Sequence, residues 1–366
     1  MSKIKQLNVD GYTYDIGIKE VANVPDNGFY IADSNDNVAL KYDENGLDAA
    51  KVSEHLKKLL GNANYIYNVK DYGAIGDGKT DDAQHIQNAI NDCNNNGGGI
   101  IFFPAGTYAL STALFNASNT GIASALMCYK NQILVGTKNT TLLASGNNVT
   151  HIIFNENAFS VGYYNGDGNI IISNLTFKVG NVPVKCTAIN ITHASNIIVE
   201  KCSFYNIPTW HCIEINSSKN CEVRNCYFDS TNNTTEDIQL DAAFGEGNLG
   251  AKDGTVCTDI KIYNNYFESG SHPSIGNHSD YAHNNIRIYN NIFNGSSSST
   301  RGSIDFVAKT NAVDIYDNTF YSNAIGVNMK STTPTSSVHD NRFVNVTTPH
   351  VNCISYNNIV NDTLIK

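Results

Sequence analysis

Between Asn169 and Asn345 the chain returns again and again to one short phrase. It reads NIIISNLTF at 169–177, NIIVEKCSF at 196–204, NCEVRNCYF at 220–228 and DIKIYNNYF at 259–267. The phrase continues as NIRIYNNIF at 285–293 and AVDIYDNTF at 312–320, and closes as SVHDNRF at 337–343. Successive phenylalanines stand 27, 24, 39, 26, 27 and 23 residues apart. Self-similarity at such a period defines a repeat architecture, and it constrains every other reading of the chain.

The chemistry of the phrase selects the architecture. Each copy is a short alternating run rich in β-branched residues, which is strand periodicity. An Asn, Asp or Lys breaks the run at a bend, and a Phe returns to the apolar interior. Stacked turns of this kind set each strand beside its own copy, roughly 4.8 Å away. Phe177, Phe204, Phe228, Phe267, Phe293, Phe320 and Phe343 then form an interior stack. Asn265, Asn291, Asn318 and Asn341, each two places before its Phe, can hydrogen-bond along a ladder. The expected fold is all-β, a right-handed parallel β-helix. Leucine-rich and propeller repeats would need signature residues that are missing here.

Composition bounds the function. A formal net charge of -10 in 366 residues argues against nucleic acid as a partner, because phosphates would find nothing to neutralise them. An anionic sugar is not excluded, since a local basic patch could serve it. The nine cysteines include Cys202 and Cys226 at one repeat position, which reads as interior stacking; no Cys-x-x-Cys pair points to zinc. The first residues lack a signal-peptide core and no transmembrane run occurs, so no membrane partner is expected. A soluble product of a reducing cytoplasm is implied, virion-associated or extracellular after release.

Residues 1–64 stand outside the repeat. Tyr12–Ile18 alternates like a strand, Gly28–Asp43 reads as a hairpin around Ser34–Asn37, and an amphipathic helix is expected from about Asp48 to Gly61. The stretch GFYIAD…NVALKYD…GL is similar to connector segments of phage tail appendages. That likeness implies an adaptor for attachment to a larger appendage and for assembly, as a homotrimer for instance. From 65 to 366 a single β-helix domain is expected. Its opening, YNVKDYGAIGDGKTDDAQHIQNAI followed by GGGIIFFPAGTY, resembles the opening motif of the pectate-lyase-like superfamily. Asp81 with Gln84 reads as a capping box, and Ile86, Ala89, Ile90 and Cys93 as the apolar face of a helix that plugs the solenoid.

Alternation places Glu214, Asn216, Asp237, Gln239 and Asp241 on the outside of two neighbouring strands. The turns before those strands carry Trp210, His211 and Glu236. Asn190, Thr192, His272, His278, Arg301 and Asp305 extend the same surface. Carboxylates for acid–base work and an aromatic ring for a pyranose make a sugar site. Here the chain resembles polygalacturonase-like glycoside hydrolases. HCIEINSSKNCEVRNC from His211 is similar to the rung of the family's first catalytic aspartate, with His211 in its place. EDIQLD from Glu236 resembles the rung of the paired aspartates, with Thr235 replacing one of them. IGNHS, ending in His278 and Ser279, is similar to the Gly-His-Gly turn, and Arg301 partly matches Arg-x-Lys.

The resulting expectation is an endo-acting hydrolase of a surface or capsular polysaccharide. Glu214, Glu236, Asp237, Asp241 and His278 are the candidate catalytic residues. Trp210, His211, Gln239, Arg301 and Asp305 are the candidate sugar-binding residues. No metal or cofactor is required. The alternatives are a lyase on a uronate polymer, which would recruit Ca²⁺, and a rod or tailspike that only binds glycan. The glycine-rich insertion after Asp241 reads as a substrate rim. Offsets of two residues and one rung separate Glu214 from Asp237 or Asp241 by about 8 Å, the spacing of an inverting enzyme.

Overall fold

The computed structural model describes five strands between Gln6 and Leu47, and residues 66–365 apart from 118–120, 159–163, 181–184, 230–234, 246–247, 269, 271, 278–281, 297–299, 308–309, 330–335 and 362. The helix expected at 48–61 lies outside the described residues. The N-terminal strands form an antiparallel sheet in which Phe29–Ala32 pairs with Val38–Asp43, as the hairpin reading requires.

From Ile66 onward the chain winds as a right-handed parallel β-helix with three faces. Face 1 runs from Phe115–Ala117 and Ile122–Cys128 through Thr187–Thr192, Ile213–Asn216, Ile238–Asp241, Ile275–Asn277 and Ile304–Phe306 to Thr348–Val351. Face 2 holds strands such as Ser195–Glu200 and Lys219–Arg224, and face 3 strands such as Ser203–Tyr205 and Tyr227–Asp229. Each rung contributes one strand to each face in that order. The pairing is direct: Phe204 opposes Phe177 and Phe228, and Phe267 opposes Phe293.

The bend between faces 2 and 3 explains the repeated phrase. Asn174, Lys201, Asn225, Asn264, Asn290, Asp317, Asp340 and Asn357 all sit there at φ between 53° and 55°. That left-handed conformation suits Asn and Asp, whose short polar side chains bond locally. One residue later Asn265, Asn291, Asn318, Asn341 and Asn358 face inward. Each Oδ1 accepts the backbone N–H of the rung before at 2.9–3.0 Å, from Cys226 N–H onto Asn265 down to Asn341 N–H onto Asn358. Above this ladder the position turns apolar, with Cys226, Cys202 and Leu175 buried. All nine cysteines are free thiols, and burial pushes those of Cys128 and Cys186 up to about 12, which removes them as nucleophiles.

The helix Ala83–Asn95 closes the N-terminal end, with Ile86, Ala89, Ile90 and Cys93 fully buried. Its start differs from the expected capping box. Asp82 is the N-cap, and its carboxylate accepts from Ile75 and Gly76 N–H at 2.6 and 2.9 Å instead of capping the helix. Gln84 spends its amide on Asn88 one turn along. Asp81 accepts from Ala83 N–H at 3.2 Å but also from Ser111 N–H at 3.0 Å and Thr112 Oγ1 at 2.6 Å, and with Gln84 turned to Asn88 the box is left incomplete.

Candidate functional site

Face 1 assembles the candidate site from one register. Asn190, Glu214, Gln239, Gly276, Asp305 and Asn328 oppose one another in sequence on six consecutive rungs, with no irregularity in any of the pairings. Asn216 opposes Asp241 beside them. The turns that feed these strands bring in Trp210, His211, Glu236, His272 and Arg301.

Four groups of contacts result. Arg301 lies between Glu236 and Asp305: its Nη2 bonds Glu236 Oε1 and its Nε donates to Asp305 Oδ2 at 2.6 Å. Asn328 Nδ2 donates to the other oxygen of Asp305 at 2.7 Å. Burial works against the guanidinium's charge, yet Glu236 and Asp305 outweigh it and raise the Arg301 pKa above its ordinary value. His211 Nδ1 bonds the Glu236 carbonyl at 2.8 Å. Asp237 forms the second group, with Oδ1 3.4 Å from His272 Nε2 and 3.7 Å from Cys212 Sγ, and Oδ2 buried without a hydrogen-bond partner among the described residues. In the third, Glu214 accepts from Asn190 Nδ2 at 2.8 Å and from Asn216 Nδ2 at 3.0 Å. In the fourth, Gln239 Nε2 meets Asp241 Oδ2 at 3.2 Å.

Alternation expects these residues on the outside, but it does not give their exposure. Glu236, Asp237 and Asp305 are fully buried, and Gln239 and His211 nearly so. Among the described candidates only Trp210, Glu214, Asp241 and Arg301 are half-buried. The cover comes from neighbouring rungs. Gly276 is the device that permits it: a Cβ there would stand 2.8 Å from Glu236 Cγ and 2.9 Å from the Asp305 carbonyl. The missing side chain is the space the Glu236–Arg301–Asp305 group occupies.

His278 lies outside the described residues. The histidine beside Asp237 is His272, ahead of the strand Ile275–Asn277, where its place before a strand matches those of Trp210, Glu236 and Arg301. That shared placement was the available signal. His151 had none. It is buried beneath Trp210 with ring centroids 5.6 Å apart, and burial, aided by His211, pushes its pKa down to about 3.

Two long connections, 156–169 and 242–257, both follow face-1 strands, and described residues of the two meet. Tyr164 O–H donates to the Val256 carbonyl at 3.0 Å, and His193 reaches the Ala158 carbonyl at 2.7 Å and Asp253 at 2.9 Å. The insertion after Asp241 carries a small hairpin, Phe244–Gly245 with Asn248–Lys252. Among the described residues no three His, Cys, Asp or Glu side chains converge to hold a metal ion. Nor, among them, is any helix long and apolar enough to cross a membrane.

The chain belongs to the rhamnogalacturonase A/epimerase, pectate lyase-like family, whose sequence model matches residues 66–353. It is 29% identical over 231 residues to plasmin and fibronectin-binding protein A of Streptococcus pneumoniae, covering 54% of this chain and 30% of that protein. It is 56% identical over 45 residues to alginate lyase 7 of Azotobacter vinelandii, 12% of this chain and 5% of that one. The chain thus spans a third or less of the length of these curated relatives. The crystal structure of PfbA, a surface adhesin of S. pneumoniae, superposes with a TM-score of 0.62 at 21% identity, covering 81% of this chain and 78% of that one. The A-module of the A. vinelandii mannuronan C-5 epimerase AlgE4 gives 0.52 at 16% identity, over 80% and 91%. These likenesses define the fold; the family is one of polysaccharide-acting β-helices.

Proposed function

We propose that the chain hydrolyses a polysaccharide on face 1, with inversion, between Asp237 and Glu214. The observation that carries this reading is the unbroken register of Ile213–Asn216 on Ile238–Asp241. It offsets Asp237 from Glu214 by one rung and two residues, about 8 Å, which leaves room for a water between acid and base. Asp237 gives its proton to the glycosidic oxygen as that bond breaks. Glu214, with Asp241 at the neighbouring position, takes a proton from the water that attacks the anomeric carbon. Glu236 is committed to Arg301, so its part is to fix the guanidinium rather than to act as the acid. Trp210 offers the ring on which a pyranose stacks.

Because Asp237 is covered in the free protein, a bound sugar has to displace its cover. Reducing ends released from a polysaccharide panel, followed by NMR of the first-formed anomer, test the reading. Inverted product is expected, with Asp237→Asn and Glu214→Gln each lowering kcat by about 10²–10⁴. Retention, or an unsaturated product, rules it out. The burial of Glu236 and Asp305 in ion pairs favours one second reading, glycan binding without cleavage, which binding with no new reducing ends would establish.

A further inference from the structure

We infer that face 1 selects an uncharged polysaccharide and rejects polymers whose sugars carry carboxylates. The inference rests on face 1 being the glycan site, but not on hydrolysis there.

The charge arrangement carries it. Glu214, Glu236, Asp237, Asp241 and Asp305 lie on the strands, or at the strand entries, of three rungs. Arg301 is the cation among them, and its one positive charge is shared between two buried carboxylates. At the face-1 strand entries the other described cation is Lys185, exposed ahead of Thr187–Thr192. His151 is held neutral by burial down to a pKa of about 3. A uronate entering this groove meets carboxylates in excess, while the one guanidinium is already committed to two of them. Like charges brought together in a partly desolvated cleft repel strongly and work against the wrong ligand.

The remaining groups fit a neutral sugar. Asn190 and Asn328 lie in the column and Asn216 beside it, and the hydrogens and lone pairs that these amides do not spend on Glu214, Asp305 or Thr192 are left for hydroxyl or acetamido groups. Trp210 adds an indole. Other cations stand on another face: Lys261 and Arg287 line a trough of about 240 Å³ on face 2 with Asn220, Asp259 and Asn285. The net charge of -10 adds a long-range field of the same sign.

The test is binding, read apart from cleavage. The full chain is applied to an array of neutral, N-acetylated and uronate-containing oligosaccharides. Affinity electrophoresis is run in parallel with polygalacturonate and its carboxyl-reduced product. The array hits should be uncharged and bound at least about tenfold more tightly than any uronate at roughly 0.15 M salt, with the gap narrowing near 1 M as screening removes the repulsion. Asp305→Asn releases Arg301 from one of its carboxylates and should strengthen uronate binding several-fold; the salt series on the unmodified chain serves if that variant does not fold. A uronate bound as tightly as the best uncharged probe, or no binding at all, overturns the inference. Uronate binding with hydrolysis would leave the proposed reaction standing and remove only the charge selection. Uncharged binding without hydrolysis would do the reverse.

Discussion

In the corner between faces 2 and 3 each rung copies the one before it. Phenylalanine rings stack from Phe177 to Phe343 at 4.6–5.1 Å, and the asparagine ladder passes the same bond from rung to rung. On face 1 the column Asn190, Glu214, Gln239, Gly276, Asp305, Asn328 never repeats a residue on successive rungs. The same backbone register serves both. Where the environment is identical in each rung, one residue type solves the problem every time. Where a charge must be met by a partner from another rung, each position has its own solution. Variation within this solenoid therefore coincides with the candidate site, and repetition with the scaffold.

The sharpest way to break the contrast is Phe267→Ala. The ring is fully buried between Phe228 and Phe293, so its loss leaves a cavity and should cost about 3–5 kcal/mol in guanidinium unfolding. Glycan binding by the folded fraction should be unchanged. A site effect as large as the stability effect would show that scaffold and site are not separate.

Asn291→Ala should cost less, about 1–3 kcal/mol. It removes donations from Nδ2 to Asn318 Oδ1 and to the Ile262 carbonyl, and it takes the acceptor away from the Asn265 N–H. Hydrogen exchange should speed up first at Asn265, since that amide loses its partner. Uniform exchange along the ladder would mean that the bonds are not passed locally.

The repeated corner could be read from the chain because its physics is local and periodic. Phe, the inward Asn and the left-handed residue before it recur at fixed offsets, and each offset has one structural meaning. The site was readable only in part. Alternation put Asp237 and Asp305 on the outer side but could not show that His272, Arg301 and Asn328 from other rungs close over them. Resemblance drew attention to His278, while the contact to Asp237 is made by His272, which no strand period places. The amides that hold Glu214 follow from register alone, and Asn190 was on the expected surface for that reason. His151 sits two rungs from the acids and became visible only through its packing.

That histidine gives a pH test of the site side. Its folded pKa lies near 3, whereas an unfolded histidine titrates near 6.5. Below 6.5 the unfolded chain takes up a proton that the folded chain refuses, so stability falls as pH falls from 6.5 toward 3. The slope is up to about 1.4 kcal/mol per pH unit. His151→Gln should flatten the decline of Tm between pH 6.5 and 5 relative to the unmodified chain. An equal slope in both would mean that the ring is protonated in place, and that Trp210 rests on a cation.

The smallest effect tests whether repetition itself stabilises. On the outside, where face 1 turns into face 2, Asn131, Asn169, Asn196, Asn220, Asp259 and Asn285 hold left-handed φ between 52° and 62°. Their amides form a second ladder, with Asn169 donating to Asn131 at 3.1 Å and Asn196 to Asn169 at 2.8 Å. At the next rung the residue is Ala312, at φ 50°. Alanine has no polar side chain to offset that conformation, which costs roughly 1 kcal/mol, and it ends the ladder. Ala312→Asn extends the column by one residue toward Asn285 and should stabilise the chain by about 0.5–1 kcal/mol. Ala312→Gly relieves the strain without supplying the amide. If asparagine exceeds glycine in differential scanning calorimetry, the ladder contributes beyond backbone relief. If glycine equals it, the outer asparagines recur for their conformation alone, and only the buried ladder is held by its side-chain bonds.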